Sequence, residues 1–278
     1  MSKEIRITKE IYTRNTEREW RRLVRDPFHQ LEFDTTMRFL KKYLPNGGLI
    51  LDAGGGPGRY SIELAKLGYS VVLLDLVPAN LELAKEKIRE AKVQNKIEEI
   101  IEGSIADLSR FESATFDAVL CLGGPLSHVN PESKRKKALN ELVRVAKKKA
   151  PIFVSVMGKY GSIMSSPSRS VNEIRMDKHF KEWAFDGDDY MWGSASMGEH
   201  GYSHYFELDE LKGILPKNCS FVENVGLEGL SSANQIAINE LAKDRKAWKN
   251  WMKLHYAVCT KPSIVDTSMH FMVIARKK

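Results

Sequence analysis

The chain has 278 residues, 42% hydrophobic and 28% charged, which suits one large domain or a domain with an appendage and excludes a disordered chain. The longest apolar runs, such as Val71 to Leu74, are too short to cross a bilayer, and the opening MSKEIRITKEIYTR lacks the apolar stretch of a secretory signal. A net charge of +7 puts nucleic acid among the partners to weigh, and three scattered cysteines without a CxxC pair give neither a disulfide framework nor a zinc site, so a soluble, cytoplasmic protein is expected.

A charged helix is expected over about residues 9–25, with Trp20, Leu23 and Val24 on its apolar side and Asp26-Pro27 ending it. Phe33, Met37, Leu40 and Leu44 recur at helical spacing and predict a second helix over 29–44, closed by Pro45-Asn46-Gly47-Gly48. Strands and helices then alternate: strands at 48–51, 70–74, 97–101, 116–122 and 151–156, with helices at 60–67, 78–91 and 131–149 between them. The last of these helices should be capped by Asn130, with Pro131 at its first position. This rhythm predicts an α/β fold with a doubly wound, mostly parallel sheet. It fails over 157–203, where Gly, Ser, Met and aromatic residues predict an irregular insert of the kind that serves as a lid. It resumes with strands at 204–206, 221–225 and 269–275 and helices at 208–215 and 234–258.

The segment Leu49-Ile50-Leu51-Asp52-Ala53-Gly54-Gly55-Gly56-Pro57-Gly58-Arg59-Tyr60 runs an apolar strand through glycines into a helix, which lets a ligand approach the backbone. The dinucleotide pattern G-x-G-x-x-G fails, because its third glycine would fall on Arg59 or Ser61, and no Gly-Lys-Ser/Thr follows as a P-loop requires. Present instead are two strand-end acids. Asp52 suits a cationic ligand end, and Asp75, ending VVLLD, suits the two hydroxyls of a ribose. An amino-acid end and a ribose together describe S-adenosylmethionine.

With these pieces the sequence resembles the class I S-adenosylmethionine-dependent methyltransferases, which implies a seven-stranded Rossmann-like sheet whose last strand is antiparallel. LDAGGGPG resembles the family's first motif, Asp75 its ribose acid, Glu102 to Leu108 its adenine segment and Phe116 to Leu122 its fourth strand. The resemblance implies a cofactor site of Asp52, Ala53, Gly54, Gly56, Asp75, Leu76, Ser104, Ile105, Leu122 and Gly123, with S-adenosylhomocysteine as product and no metal. Ser104 stands where most relatives have an acid. The match spans roughly 48–156 and 204–276. The segments EREWRRL, LEF, GGPGRY, LEGL and SMHFMVIARKK look like a subgroup of such enzymes with undefined substrates.

Leu122-Gly123-Gly124-Pro125 lacks the Asn/Asp-Pro-Pro-aromatic motif that orients a planar amine in base and glutamine methyltransferases, so a small-molecule acceptor methylated on O, N or C is expected. An oxygen or nitrogen nucleophile must lose a proton, and His128 and His204 are the candidate general bases, with His200 a third. Glycines flanking the Glu199-His200…His204 spacing argue against a helical metal site, and Asp186-Gly187-Asp188-Asp189 is expected to be a solvated turn. Trp183, Phe185, Tyr190, Met191, Trp192 and Met197 would close the insert over the acceptor or pack it down. The organisation expected is a helical cap over 1–47, the methyltransferase domain over 48–156 and 204–278, and a lid over 157–203. The rival readings are an RNA or protein methyltransferase and a non-catalytic module that binds the cofactor for a partner.

The charge is local. Residues 131–149 hold eight Lys or Arg against Glu132 and Glu141, nearly the whole excess, on one helix whose stripe of Ala138, Leu139, Leu142, Val143 and Ala146 should face the sheet. A basic patch on one water-facing helix does not make a nucleic-acid-binding protein, and Lys147 to Lys149 should complement that helix's C-terminus.

Overall fold

In the computed structural model, which describes residues 3–169, 171–189 and 201–278, the alternating apolar runs form one sheet. Its strands are β1 (Leu49–Ala53), β2 (Ser70–Asp75), β3 (Ile97–Glu102), β4 (Ala118–Cys121), β5 (Pro151–Met157), β8 (Cys219–Gly226) and β9 (His270–Lys277), in the spatial order β3-β2-β1-β4-β5-β9-β8. The first five pair in parallel, and β9 runs antiparallel between β5 and β8. Two short strands, β6 (Asp188–Asp189) and β7 (Ser203–His204), form a separate antiparallel pair.

Period-two alternation divides the core between the two faces of the sheet. Leu51, Val119, Cys121, Ile152 and Val154 pack on one side against Leu139, Leu142 and Val143 of α6 (Glu132–Val145). Ile50, Ala118, Leu120 and Phe153 pack on the other against Leu40 of α3 (Pro27–Tyr43) and Leu64 of α4 (Arg59–Lys66). All of these side chains are buried, and each large one contributes roughly 1.5–3 kcal/mol by leaving water. The chain leaves β1 for β2 on one side and returns to β4 on the other. This opens a crevice at the carboxyl ends of β1 and β4, where open α/β sheets hold their ligands.

Several boundaries differ from expectation for identifiable reasons. The first helix begins earlier and breaks at Asn15, giving α1 (Lys3–Arg14) and α2 (Thr16–Arg22). Asn130 does not cap α6: Pro131 occupies the cap position, and the helix stops at Val145 because Ala146 turns extended and bridges Phe116. Lys147 therefore lies beyond the helix and pairs with Asp117 at 2.8 Å, while Arg135, expected in water, is buried against Tyr202. The late helix divides into α11 (Gln235–Leu241) and α12 (Arg245–Val258), because Asp244 accepts from the amides of Lys246 and Ala247 and starts a new helix.

The largest difference lies in the insert. Between Lys159 and Asp186 it is helical, as α7 (Lys159–Arg169), α8 (Val171–Ile174), α9 (Asp177–Lys181) and a wide π turn, Glu182–Asp186. Gly161, four serines and Pro167 read as loop signals, yet the hydroxyls of Ser165, Ser166 and Ser168 bond back to carbonyls one turn earlier. Tertiary packing supplies the rest. Tyr190, Met191, Trp192, Met197 and His200, named in the sequence reading, lie outside the described residues. No helix among the described residues is long and apolar enough to cross a membrane.

Candidate active site

The turn after β1 is tied to its neighbour strand, with Gly54 N and Gly55 N donating to Leu74 O at 2.7 and 3.2 Å. Gly54 has φ +81°, and a Cβ there would lie 2.5 Å from the Pro125 ring, so only glycine lets the β1 and β4 loops meet. Asp75 ends β2 with its carboxylate pinned: Oδ2 accepts from Gly56 N at 2.8 Å, and Oδ1 from Val77 N at 2.9 Å and Asn80 Nδ2 at 3.2 Å. Burial pushes its pKa up against these bonds, which favour the charged form.

A cavity of about 180 Å³ lies over these groups, lined by Gly54, Gly56, Asp75, Leu76, Ser104, Ile105, Leu122 and Gly123. Eight of the ten expected ligand residues therefore meet at one place. The other two do not face it. Asp52 and Ala53 are fully buried beneath the loop, because the pleat points Asp52 toward α4, where it accepts from Ser61 Oγ at 2.6 Å. Its Oδ1 has no partner among the described residues, and burial pushes its pKa up to about 6. Ser104 Oγ already accepts from Ala106 N at 3.2 Å. The roof is Ile5, Thr8 and Tyr12 of α1, which no motif marks in the sequence, with Glu19 and Arg22 of α2.

Residues 50–149 match a family model for a methyltransferase domain. A glycine/sarcosine N-methyltransferase of Parasynechococcus marenigrum is 33% identical over 118 residues, covering 42% of this chain and 40% of that protein. A ubiquinone biosynthesis O-methyltransferase of Xanthomonas axonopodis is 30% identical over 184 residues, covering 66% of this chain and 64% of that one. The solved structure of a SAM-dependent methyltransferase from Methanosarcina mazei shares the fold, with a TM-score of 0.58 at 21% identity over 86% of this chain and 96% of that one. The fold is that of the class I S-adenosylmethionine-dependent methyltransferases, and residues 50–149 are similar to a methyltransferase domain. The chain spans about two fifths of the length of the glycine/sarcosine relative.

At this site the two candidate bases part company. His128 lines the cavity, but Nδ1 donates to Tyr202 O at 3.0 Å and Nε2 accepts the Tyr12 hydroxyl at 2.8 Å. Burial holds its pKa below the usual histidine value, so the ring is neutral and serves to place Tyr12. His204 does not line the cavity. Both of its nitrogens meet carboxylates, Asp188 at 2.7 Å and Glu210 at 2.6 Å, so it is a doubly protonated ring with no lone pair to offer a substrate. The expected solvated turn at 186–189 is thus partly an ion-pair site, with Asp188 also accepting from Tyr202 and Asp189 buried.

Burial opposes the His204 charge, but the two carboxylates outweigh it and raise the pKa. A raised histidine pKa contributes stability that is fully present below about pH 6.5 and lost as pH rises through the folded value. The stability gap between wild type and His204→Gln should therefore shrink from pH 6 to pH 9 in urea denaturation. A gap that widens would refute the paired imidazolium.

A second chamber of about 570 Å³ shares Thr8, Tyr12, Glu19, Arg22, Gly123 and His128 with the first. Its wall holds a network that sequence reasoning missed. Arg22 forks onto Glu32 at 2.5 and 3.1 Å, and His270 Nδ1 lies 2.6 Å from Glu228 Oε1 and 3.7 Å from Glu32 Oε2. Glu32, Glu228 and His270 offer ligand atoms within 4.8 Å of one another, but the arginine fork and the ring N–H already occupy the facing carboxylate oxygens. The four residues fall in EREWRRL, LEF, LEGL and SMHFMVIARKK, segments marked in the sequence by resemblance alone.

Proposed function

We propose that the protein transfers the methyl group of S-adenosylmethionine to an oxygen, nitrogen or carbon of a small-molecule acceptor. The observation that carries this is the pair of joined cavities: a narrow one built on the glycine turn and Asp75, and a wider one that meets it at Gly123 and His128. The residues fit the cofactor. Asp75 Oδ2 keeps one lone pair free for a ribose hydroxyl, Ser104 and Ile105 flank the adenine position, and the bare backbone at Gly54 and Gly56 admits the methionine portion. The cofactor brings a sulfonium methyl group that an acceptor displaces in line. The chain's own part is to align the acceptor in the wide chamber and exclude water, with residues 1–47 as roof and 157–203 as lid. Two relatives named above act on small molecules by their names, in accord with this reading. Three buried free thiols suit a reducing cytoplasm.

Calorimetry should detect S-adenosylhomocysteine binding at micromolar concentrations, and an absence of heat at high protein concentration would defeat the reading. With methyl-labelled cofactor and fractionated cell extract, label should enter low-molecular-mass material. Label in RNA or protein would overturn the small-molecule assignment.

A further inference from the structure

Antiparallel pairing puts residue 270 at the same sheet edge as the cofactor loops. His270 opens β9 opposite Met157, the last residue of β5, and Gly226, the last of β8, pairs with Phe271. Glu228, two residues past β8, therefore reaches His270 at that edge. A Cβ on Gly123 would lie 3.3 Å from Arg22 Nη2, so the network of Arg22, Glu32, His270 and Glu228 begins against the β4 loop and ends in the wide chamber.

Glu228 is rigidly held. Its Oε2 accepts from Ser268 Oγ at 3.0 Å and from His270 N at 2.8 Å, leaving Oε1 for the ring Nδ1–H. That bond fixes the tautomer, so Nε2 of neutral His270 carries the lone pair. The ring lines the chamber with 19% of its surface accessible, and Nε2 has no hydrogen-bond partner among the described residues. No other described histidine combines these features. His128 and His204 have both nitrogens engaged, and His29 bridges Asp26 and Arg25. His255 is buried on Thr35 with its pKa pushed down to about 4, and His179 does not line either cavity.

Resting on the methyltransferase reading above, we propose that His270, oriented by Glu228, takes the proton from the methyl acceptor, and that the acceptor is a small molecule with a hydroxyl or amine hydrogen on the reacting atom. The acceptor atom forms its bond to the methyl carbon as the carbon–sulfur bond breaks, and that electron pair stays on sulfur. The acceptor's proton moves to Nε2 of His270, Glu228 balances the resulting imidazolium, and the proton then passes to water. Three segments converge on the ring: Glu228 beyond β8 and Glu32 on α3 favour its charged form, and Arg22 on α2 opposes it, while Arg14, Arg18, Glu19, Arg25, His29, His128 and Asp189 also line the chamber. Burial works against the charge but the two carboxylates prevail, so the ring titrates above the ordinary histidine value and transfer should rise with pH through that point.

Two measurements test this, one of them independent of any acceptor. In nitrogen-15 histidine NMR of the whole protein, Nε2 of His270 should titrate above pH 6.5 while Nδ1 stays protonated, and Glu228→Gln should move the midpoint down. In label transfer to the metabolite fraction that wild type methylates, His270→Asn, which keeps a donor for Glu228, should be slower by about a hundredfold or more, with S-adenosylhomocysteine affinity within about twofold. A ring that does not titrate, titration at Nδ1, or undiminished transfer by His270→Asn would each overturn the proposal. If Glu228→Gln does not fold, the His270→Asn result decides. Wild type that binds no S-adenosylhomocysteine would instead defeat the methyltransferase reading itself.

Discussion

Replacing Asp75 by alanine is expected to weaken S-adenosylhomocysteine binding by roughly ten- to hundredfold, the loss of about 1.5–3 kcal/mol that attends hydrogen bonds to a charged acceptor. The carboxylate earns this expectation by its setting. It is buried at the cavity wall and held by Gly56, Val77 and Asn80, so it does not reorganise when a ribose arrives. Alanine also leaves those three donors without their acceptor, so the free protein should lose stability too. Calorimetry on material shown folded by circular dichroism separates the two effects. Unchanged affinity in folded Asp75→Ala would remove Asp75 from the site.

Gly161→Ala is expected to destabilise the protein by about 3 kcal/mol in chemical denaturation, at the upper end of what overpacking costs. A Cβ at Gly161 would stand 2.2 Å from the carbonyl carbon of Ser268 and 2.4 Å from Met269 N. These are backbone atoms, which cannot swing aside as a side chain can. Ser268 also holds Glu228, so any shift reaches the chamber wall. Gly47→Ala is the control, because nothing lies within 4 Å of a Cβ there, and it should change stability by no more than about 0.5 kcal/mol. Equal losses in the two variants would refute the account of α7 packed on bare backbone.

The cofactor side was largely legible because its signals are local. Strand, glycine turn and strand-end acid follow one another in sequence, and eight of the ten residues that the family resemblance implied line one cavity. Asp52 was misplaced because a strand-end acid can point to either face. The pleat sends it toward α4, and only the paired strands fix which face that is. The insert was misread because its Gly, Ser and Pro residues are helix breakers by propensity, whereas α7 is held by contacts with Ser268, about a hundred residues away.

By itself the sequence determined most of the strands along the chain, the glycine turn and Asp75, since these rest on short apolar runs and on neighbours within a few residues. Tertiary structure alone decided the wall of the wide chamber. Arg22, Glu32, Glu228 and His270 lie on four separate segments, and their ion pairs exist only after the N-terminal helices fold over the sheet edge and β9 enters antiparallel between β5 and β8. Other contacts, the β6–β7 pairing that brings Asp188 to His204 and the approach of Glu210, give each of its nitrogens a carboxylate, an arrangement that no spacing in the sequence announces.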